Sequence, residues 1–226
     1  MITFEKVTKR FSDGTLGLGE ASFQIKTNEF VFFIGPSGAG KTTVMKLLRR
    51  EISPSEGVIT VKDKNINQLE KQAIPALRRS VAMCYQDFRL LADRTVLENV
   101  ALPLEIAGVS EPEKAERIAD VLKKVNLGKK ANFFPVQLSG GELQRVGIAR
   151  AIVGKPDVIL ADEPTGNLDP EAAFEIIKLF KEINLAQTTI IVATHNADLV
   201  NQFKERVIEL KHGKIIRDQK KAKYVA

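Results

Sequence analysis

Phe30-Val31-Phe32-Phe33-Ile34, then Gly35-Pro36-Ser37-Gly38-Ala39-Gly40-Lys41-Thr42, then Thr43-Val44-Met45-Lys46-Leu47-Leu48 is an apolar run, a glycine-rich turn and the start of a helix. A buried strand leading into such a turn, with Lys-Thr at its end, is the context that makes the pattern a phosphate-binding P-loop. Backbone N–H groups of the turn and of the first helical residues converge on an anion, and the helix macrodipole adds partial positive charge at the same place. Lys41 is then placed to reach the β- and γ-phosphates, and the Thr42 hydroxyl to ligate Mg²⁺. The expected nucleotide contacts from this stretch are Gly35, Pro36, Ser37, Gly38, Ala39, Gly40, Lys41, Thr42 and Thr43.

The surrounding chain has 226 residues, 44% of them hydrophobic and 27% charged, which suits a globular protein that buries its core without staples. A single cysteine, Cys84, excludes an intrachain disulfide and fits a reducing compartment. The N-terminal Met1-Ile2-Thr3-Phe4-Glu5-Lys6 lacks the basic start and apolar core of a secretory signal, and no apolar run approaches the roughly 20 residues of a membrane span. The net charge of +6 is spread along the chain, with a modest concentration from Lys211 to Lys223. Such a distribution reads as a solvated surface, so no nucleic-acid partner is expected. The basic tail is a weak candidate for contact with anionic lipid.

Residues 1–34 read as β structure: Met1 to Phe11 alternates loosely, Ala21 to Lys26 alternates well, and Ser12-Asp13-Gly14-Thr15 makes a turn between them. A helix is predicted from Gly40 to about Arg50, strands over Gly57–Val61 and Ser80–Cys84, and a short helix over Ile74–Arg79. From about Phe88 to Val136 strand signals give way to helical ones. Ser110-Glu111-Pro112-Glu113 has the capping-box pattern, and Ala115, Ile118, Leu122 and Val125 share one helical face. The last third returns to alternation: helices over Gly141–Ile152, Pro170–Ile183 and Ala197–Phe203, strands over Val158–Ala161 and Thr188–Ala193, and a hairpin of Arg206–Leu210 with Lys214–Arg217 around His212-Gly213. Strands alternating with helices predict a mostly parallel sheet covered on both faces.

Two further stretches bear on chemistry. Val158-Ile159-Leu160-Ala161-Asp162-Glu163 is an apolar strand ending in two acids. Asp162 is placed to hold Mg²⁺ through its water shell, and Glu163 to polarise a water for in-line attack on the γ-phosphate. Leu138-Ser139-Gly140-Gly141-Glu142-Leu143-Gln144-Arg145 offers N–H groups, a hydroxyl and a positive helix end. On the residues alone, a second anion site and a plain helix cap fit it equally.

Leu-Ser-Gly-Gly-Glu at 138–142 resembles the signature motif of the ATP-binding cassette (ABC) ATPases, and its order between the P-loop and the Asp-Glu strand fits that family along nearly the whole chain. The resemblance implies an α/β P-loop NTPase core with a mostly parallel sheet, an N-terminal antiparallel β subdomain and a helical insertion. On that reading residues 1–226 form one ATPase domain, with 1–87 and 137–226 as core and 88–136 as helical subdomain. It further implies hydrolysis of ATP with Mg²⁺ as cofactor, in a homodimer that forms on ATP binding. Two cassettes meet head to tail, so that Ser139, Gly140, Gly141 and Glu142 of the signature, with Asp169 of the D-loop Asn167-Leu168-Asp169, act on the other copy's nucleotide. Phe11 matches the aromatic that stacks on adenine. Gln86 resembles the Q-loop glutamine that reaches Mg²⁺ and the attacking water, and His195 the switch histidine at the γ-phosphate. Leu143 departs from a frequent glutamine of the family, which bears on coupling between subunits rather than on activity.

Gln86-Asp87-Phe88-Arg89-Leu90-Leu91, then Asp93-Arg94-Thr95-Val96 and Glu98-Asn99-Val100, resembles the FtsE subfamily of cell-division ATPases, close to the MacB and LolD group, whose members tend to have Asn where Arg89 stands. The resemblance implies a membrane partner of FtsX type and motion transmitted to cell-wall hydrolases, with the cassette in the cytoplasm, peripheral on the inner face of the plasma membrane. The alternative is an exporter or lipoprotein-release ATPase of MacB/LolD type. Phe88, Leu90 and Leu91 are the expected apolar contacts with the partner, or else close the subdomain's own core.

Overall fold

The computed structural model describes residues 1–220; the end of the basic tail, with Lys221 and Lys223, lies outside the described residues. In chain order the elements are β1 (Ile2–Arg10), β2 (Leu16–Ile25), β3 (Phe30–Ile34), α1 (Lys41–Leu48), β4 (Glu56–Val61), β5 (Lys64–Asn65), α2 (Ile74–Ser80), β6 (Val81–Cys84), α3 (Val96–Ile106), α4 (Glu111–Lys124), α5 (Gly140–Ile152), β7 (Val158–Asp162), α6 (Pro170–Leu185), β8 (Thr189–Ala193), α7 (Ala197–Phe203), β9 (Arg206–Lys211) and β10 (Lys214–Gln219).

These strands form two sheets. One is antiparallel, ordered β2-β1-β4-β5; the other is ordered β10-β9-β3-β8-β7-β6, with only the β9–β10 hairpin antiparallel. The expected architecture, a mostly parallel core sheet with an antiparallel N-terminal sheet and inserted helices, is the one observed. β3, β7 and β8 are central and read as unbroken apolar runs because both of their faces are covered. Their register sets the site: Phe33 lies opposite Ala193 and Asp162 opposite Ala193, so the loops after β3, β7 and β8 all leave from the same edge of the sheet. In open parallel sheets the crevice outside the carboxyl ends of the strands is where ligands bind.

One face of the core sheet packs α1 and the antiparallel sheet, through Val44, Met45, Leu47 and Leu48 against Phe4, Phe23, Phe33 and Ile191. The other face packs α3 to α7, with Phe32, Ile159 and Val192 joined to Val100, Leu104, Ile118, Val146, Ile177 and Phe180. The inserted helices thus share this core and do not bury one of their own. Among the described residues no helix is long and apolar enough to cross a membrane.

Three local expectations need correction. β2 begins at Leu16, upstream of Ala21, because its first residues pair with Lys9 and Arg10 across bulges that break simple alternation. Ser110 is the N-cap of α4 but its side chain makes no capping bond, and the Glu113 carboxylate, which a capping box would turn back to Ser110 N, pairs with Arg117, one turn on. The buried stripe of α4 is Ile118, Val121 and Leu122, continued by Val125, while Ala115 is exposed. A true capping box occurs at Thr95, whose hydroxyl accepts from Glu98 N while Glu98 Oε2 accepts from Thr95 N. Cys84 is a buried strand thiol; burial pushes its pKa up to about 12, so it is chemically quiet.

Candidate functional site

A cleft of about 840 Å³ lies at the edge where β3, β6, β7 and β8 end, and is lined by Pro36 to Thr43, Tyr85, Gln86, Asp87, Arg89, Asp162, Glu163, Asn167 and His195. The loop between β3 and α1 carries Gly35 at φ 138°, Gly38 at φ 76° and Gly40 at φ 110°. A Cβ on Gly35 would fall 2.1 Å from the Leu210 carbonyl oxygen and one on Gly40 2.6 Å from that of Gly17, so backbone packs directly behind the loop. The β9–β10 turn supports it too: Gly213 N donates to Ala39 O (3.0 Å) and Gly213 O accepts from Gly19 N (2.8 Å). His212, at φ 50°, is the other left-handed residue of that turn.

Lys41, the first residue of α1, is buried. Its Nζ donates to Gly35 O (2.7 Å) and Pro36 O (3.2 Å) and lies 3.6 Å from Glu163 Oε1. The Thr42 hydroxyl donates to Asp162 Oδ2 (2.8 Å). The other carboxylate oxygen of Asp162 is buried without a partner. Burial holds the Asp162 pKa above the ordinary range; Thr42 opposes this and the neighbouring Glu163 adds to it. A hydroxyl joined to a carboxylate whose second oxygen is buried and unsatisfied fits a hard cation that takes oxygen ligands. Among the described residues no group of three His, Cys, Asp or Glu side chains would hold a metal by itself.

Glu163, just past β7, adopts φ 48°. Left-handed backbone costs an ordinary residue about 1–2 kcal/mol and persists where its surroundings fix it. Here Glu163 N donates to Ala193 O (2.9 Å), and the carboxylate reaches His195, whose Nδ1 is 3.0 Å from Oε2. The acids of β7, the lysine of the P-loop and the histidine after β8 thus converge. Gln86, in the turn after β6, lies against Gly166, where a Cβ would meet its Nε2 at 2.9 Å. Phe11 does not line the cleft but stands beside it: a Cβ on Gly17 would meet the Phe11 ring at 2.5 Å and Thr43 Cγ2 at 3.2 Å.

Ser139, Gly140, Gly141 and Glu142 are not part of this cleft. Ser139 caps α5, accepting from Glu142 N (3.4 Å) while Glu142 Oε2 accepts from Ser139 N (3.0 Å). The Lys130 ammonium, ahead of the Ser139 N–H, holds the Glu142 pKa below the usual carboxylate range. Asp169 likewise caps its own helix, accepting from Ala172 N (2.8 Å). Gly140 packs on Leu168, so the two motifs form one surface. Of the expected docking residues, Leu91 is exposed, while Phe88 and Leu90 are both half-buried, Leu90 packing in part against the core.

The ABC transporter family profile matches residues 18–166. The cell division ATP-binding protein FtsE of Bacillus subtilis (strain 168) is 46% identical over 99% of this chain and 98% of its own length. FtsE of Escherichia coli (strain K12) is 46% identical over 94% of this chain and 96% of its own. Among solved structures, a dimeric post-hydrolysis state of the ATP-binding cassette MJ0796 bound to ADP and Pi superposes with a TM-score of 0.88 at 36% identity, covering 99% of this chain and 100% of that one. This chain belongs to the ABC transporter family, as an ATPase cassette of the FtsE type.

Proposed function

We propose that this cassette hydrolyses ATP in a composite site, one half of which is the cleft around Lys41 and the other the α5 N-terminus of a second copy, and that the cycle serves cell division through a membrane partner. The observation that carries this reading is the convergence at the end of β7: Asp162 joined to Thr42 at 2.8 Å, and Glu163 reaching both Lys41 and His195. Lys41 and the N–H groups of the P-loop hold the β- and γ-phosphates. Mg²⁺ held by Thr42 and Asp162, with Gln86 nearby, would neutralise charge on the phosphates. Glu163 accepts the proton of the attacking water, and His195 fixes the Glu163 carboxylate and contacts the γ-phosphate. Phe11 stacks on the adenine.

Ser139 and Gly141 lie outside the cleft of their own chain, and the related cassette MJ0796 is dimeric with ADP and Pi. Both support a head-to-tail homodimer in which the signature and Asp169 complete the partner's site. The FtsE relatives are named for cell division. That supports a partner of FtsX type and a place on the inner face of the plasma membrane. Phe88, Leu90 and Leu91 are the docking contacts on this reading, Leu91 being the most exposed of the three.

Glu163→Gln tests the catalytic half. It keeps the side-chain shape but cannot accept the proton, so turnover should fall by about 10²-fold or more while ATP still binds and dimers accumulate. Undiminished hydrolysis removes Glu163 from the role of base. Phe88→Ala and Leu91→Ala test docking: each should weaken co-purification with the membrane partner and spare nucleotide binding, and unchanged recovery rejects the assignment.

A further inference from the structure

Phe88 and Arg89 are consecutive residues in the left-handed region, at φ 54° and 48°. Neither is a residue type that enters this region easily, and two in succession cost about 2–4 kcal/mol unless their surroundings fix them. The structure identifies what fixes them. Arg150 near the end of α5 donates from Nη2 to Phe88 O (2.7 Å) and from Nη1 to Arg89 O (2.6 Å). The planar fork of a guanidinium holds two adjacent acceptors in one geometry, which a lysine ammonium does not do. Burial is the largest influence on the Arg150 pKa and lowers it, so the two carbonyl dipoles also compensate a partly desolvated charge.

The same turn carries Gln86. Phe88 N donates to Tyr85 O (3.3 Å), so Gln86 is the second residue of a turn whose closing residue is held by Arg150. The Arg89 guanidinium lies over the Tyr85 ring, 3.8 Å from its centroid, and closes the turn from the other side. Arg150 itself sits on the 13-residue helix that begins at the Ser139 cap, a rigid rod of about 20 Å.

We propose that Arg150 is a positioning residue for ATP hydrolysis: its fork fixes the left-handed Phe88–Arg89 pair, which holds Gln86 at the metal side of the cleft and ties that turn to the signature helix. The proposal rests on the reading that Gln86 serves the reaction. α5 carries Ser139 at one end and Arg150 at the other. Any shift of this helix when Ser139 engages the second copy's nucleotide therefore reaches the Gln86 turn of its own chain.

The test uses Arg150→Lys, which keeps the charge and loses the fork, and Arg150→Lys with Arg89→Asn, since Asn adopts left-handed backbone more readily. The first readout needs no turnover. Opening of the turn should raise tryptic cleavage after Arg89 about fivefold over the native chain, as proteolysis tracks the open population. The second readout is kinetic. In Arg150→Lys, ATP binding should stay within about twofold, while kcat falls about tenfold and half-activation by Mg²⁺ moves to higher concentration, as misplacement of a positioning group predicts. Arg89→Asn added to Arg150→Lys should recover part of kcat and of the Mg²⁺ dependence; this variant is read by kinetics alone, because it has no tryptic site at position 89. Native cleavage together with native kcat in Arg150→Lys overturns the proposal. So does loss of kcat accompanied by loss of ATP binding and by no recovery on adding Arg89→Asn, which marks a general structural role. If Gln86→Ala hydrolyses ATP at the native rate, the catalytic reading of Gln86 has failed and the kinetic half of the proposal falls with it. Cleavage after Arg89 reports the brace independently of that result.

Discussion

Asp162→Asn should make the nucleotide-free protein more stable while disabling its reaction. Asp162 is held above the ordinary carboxylate range chiefly by burial, and one of its oxygens is buried without a partner. The sign follows from linkage. A carboxyl whose pKa is raised in the folded state binds a proton that the unfolded chain has already released. Stability therefore falls as pH climbs from the unfolded value of about 3.9 through the raised one, and the penalty is complete above it. A neutral amide removes the charge from the buried site while its oxygen still accepts from Thr42 Oγ1. An unsatisfied buried polar atom costs about 1–3 kcal/mol, more if charged, and the amide still leaves one polar atom unpaired there, so the net gain is at the low end, about 1 kcal/mol. In a chain of this size that is about 2–4 °C in Tm. Thermal unfolding of both proteins at pH 8 and pH 5, with and without MgATP, checks it. Without nucleotide the variant should lead at pH 8, and by less at pH 5. With MgATP near 100 times its Kd the native protein should gain about 2.7 kcal/mol and the variant much less, reversing the order. A variant equally or less stable than the native protein at pH 8 without nucleotide refutes the reasoning, because burial would then not be destabilising the Asp162 carboxylate.

Gly35→Ala places a Cβ 2.1 Å from Leu210 O at a φ of 138°, so backbone must move; a loss of about 4 kcal/mol or more, read by urea unfolding, is expected. Asn99 is fully buried, accepts from Leu91 N and donates to the carbonyls of Leu91, Arg94 and Thr95. Asn99→Ala should cost about 3 kcal/mol in the same assay and loosen residues 91–95, seen as faster amide exchange there. Ser139→Ala should lower stability by about 1 kcal/mol through loss of the α5 cap, and should also abolish ATP-dependent dimerisation, measured by size-exclusion chromatography, whereas Ser139→Asp keeps the cap and still fails to dimerise. Phe11→Leu should weaken ATP binding about threefold to tenfold, by fluorescence titration, without lowering kcat at saturating ATP.

The features legible in the sequence are those in which local order carries the chemistry. Gly35 to Thr42 states its own turn, its lysine and its hydroxyl in consecutive residues, and Val158 to Glu163 states a buried strand and its two acids. Parallel register then brings Asp162 to Thr42, a contact across 120 positions that follows once β3, β7 and β8 are recognised as one sheet. What stayed hidden depends on backbone acceptors, which have no residue type. Arg150 looks like one more basic residue on an amphipathic helix until its partners prove to be the carbonyls of Phe88 and Arg89. Gly213 behind Ala39 is a bond of the same kind. The Ser110 pattern is ambiguous in sequence because the Glu113 carboxylate has two partners within four residues, and here it pairs with Arg117 and not with Ser110 N.

Apart from one Asp162 oxygen, the polar groups of the site already have partners within the chain, and this bears on how the site works. Lys41 donates to Gly35 O and Pro36 O and neighbours Glu163; Thr42 donates to Asp162; Ser139 caps its own helix with its side chain. Each contact occupies a group that a phosphate oxygen, a metal or the partner's nucleotide would otherwise use. Binding is therefore an exchange of bonds, and its net free energy is smaller than the number of phosphate contacts suggests. The exchange is uneven across the site. Lys41 and Thr42 trade partners when one chain binds ATP. Ser139 can keep its capping bond, because a hydroxyl accepts through one lone pair and still has a proton to donate. In the proposed homodimer the signature would thus reach a second copy's phosphate without unravelling its helix, leaving α5 stiff enough to move the turn that Arg150 holds.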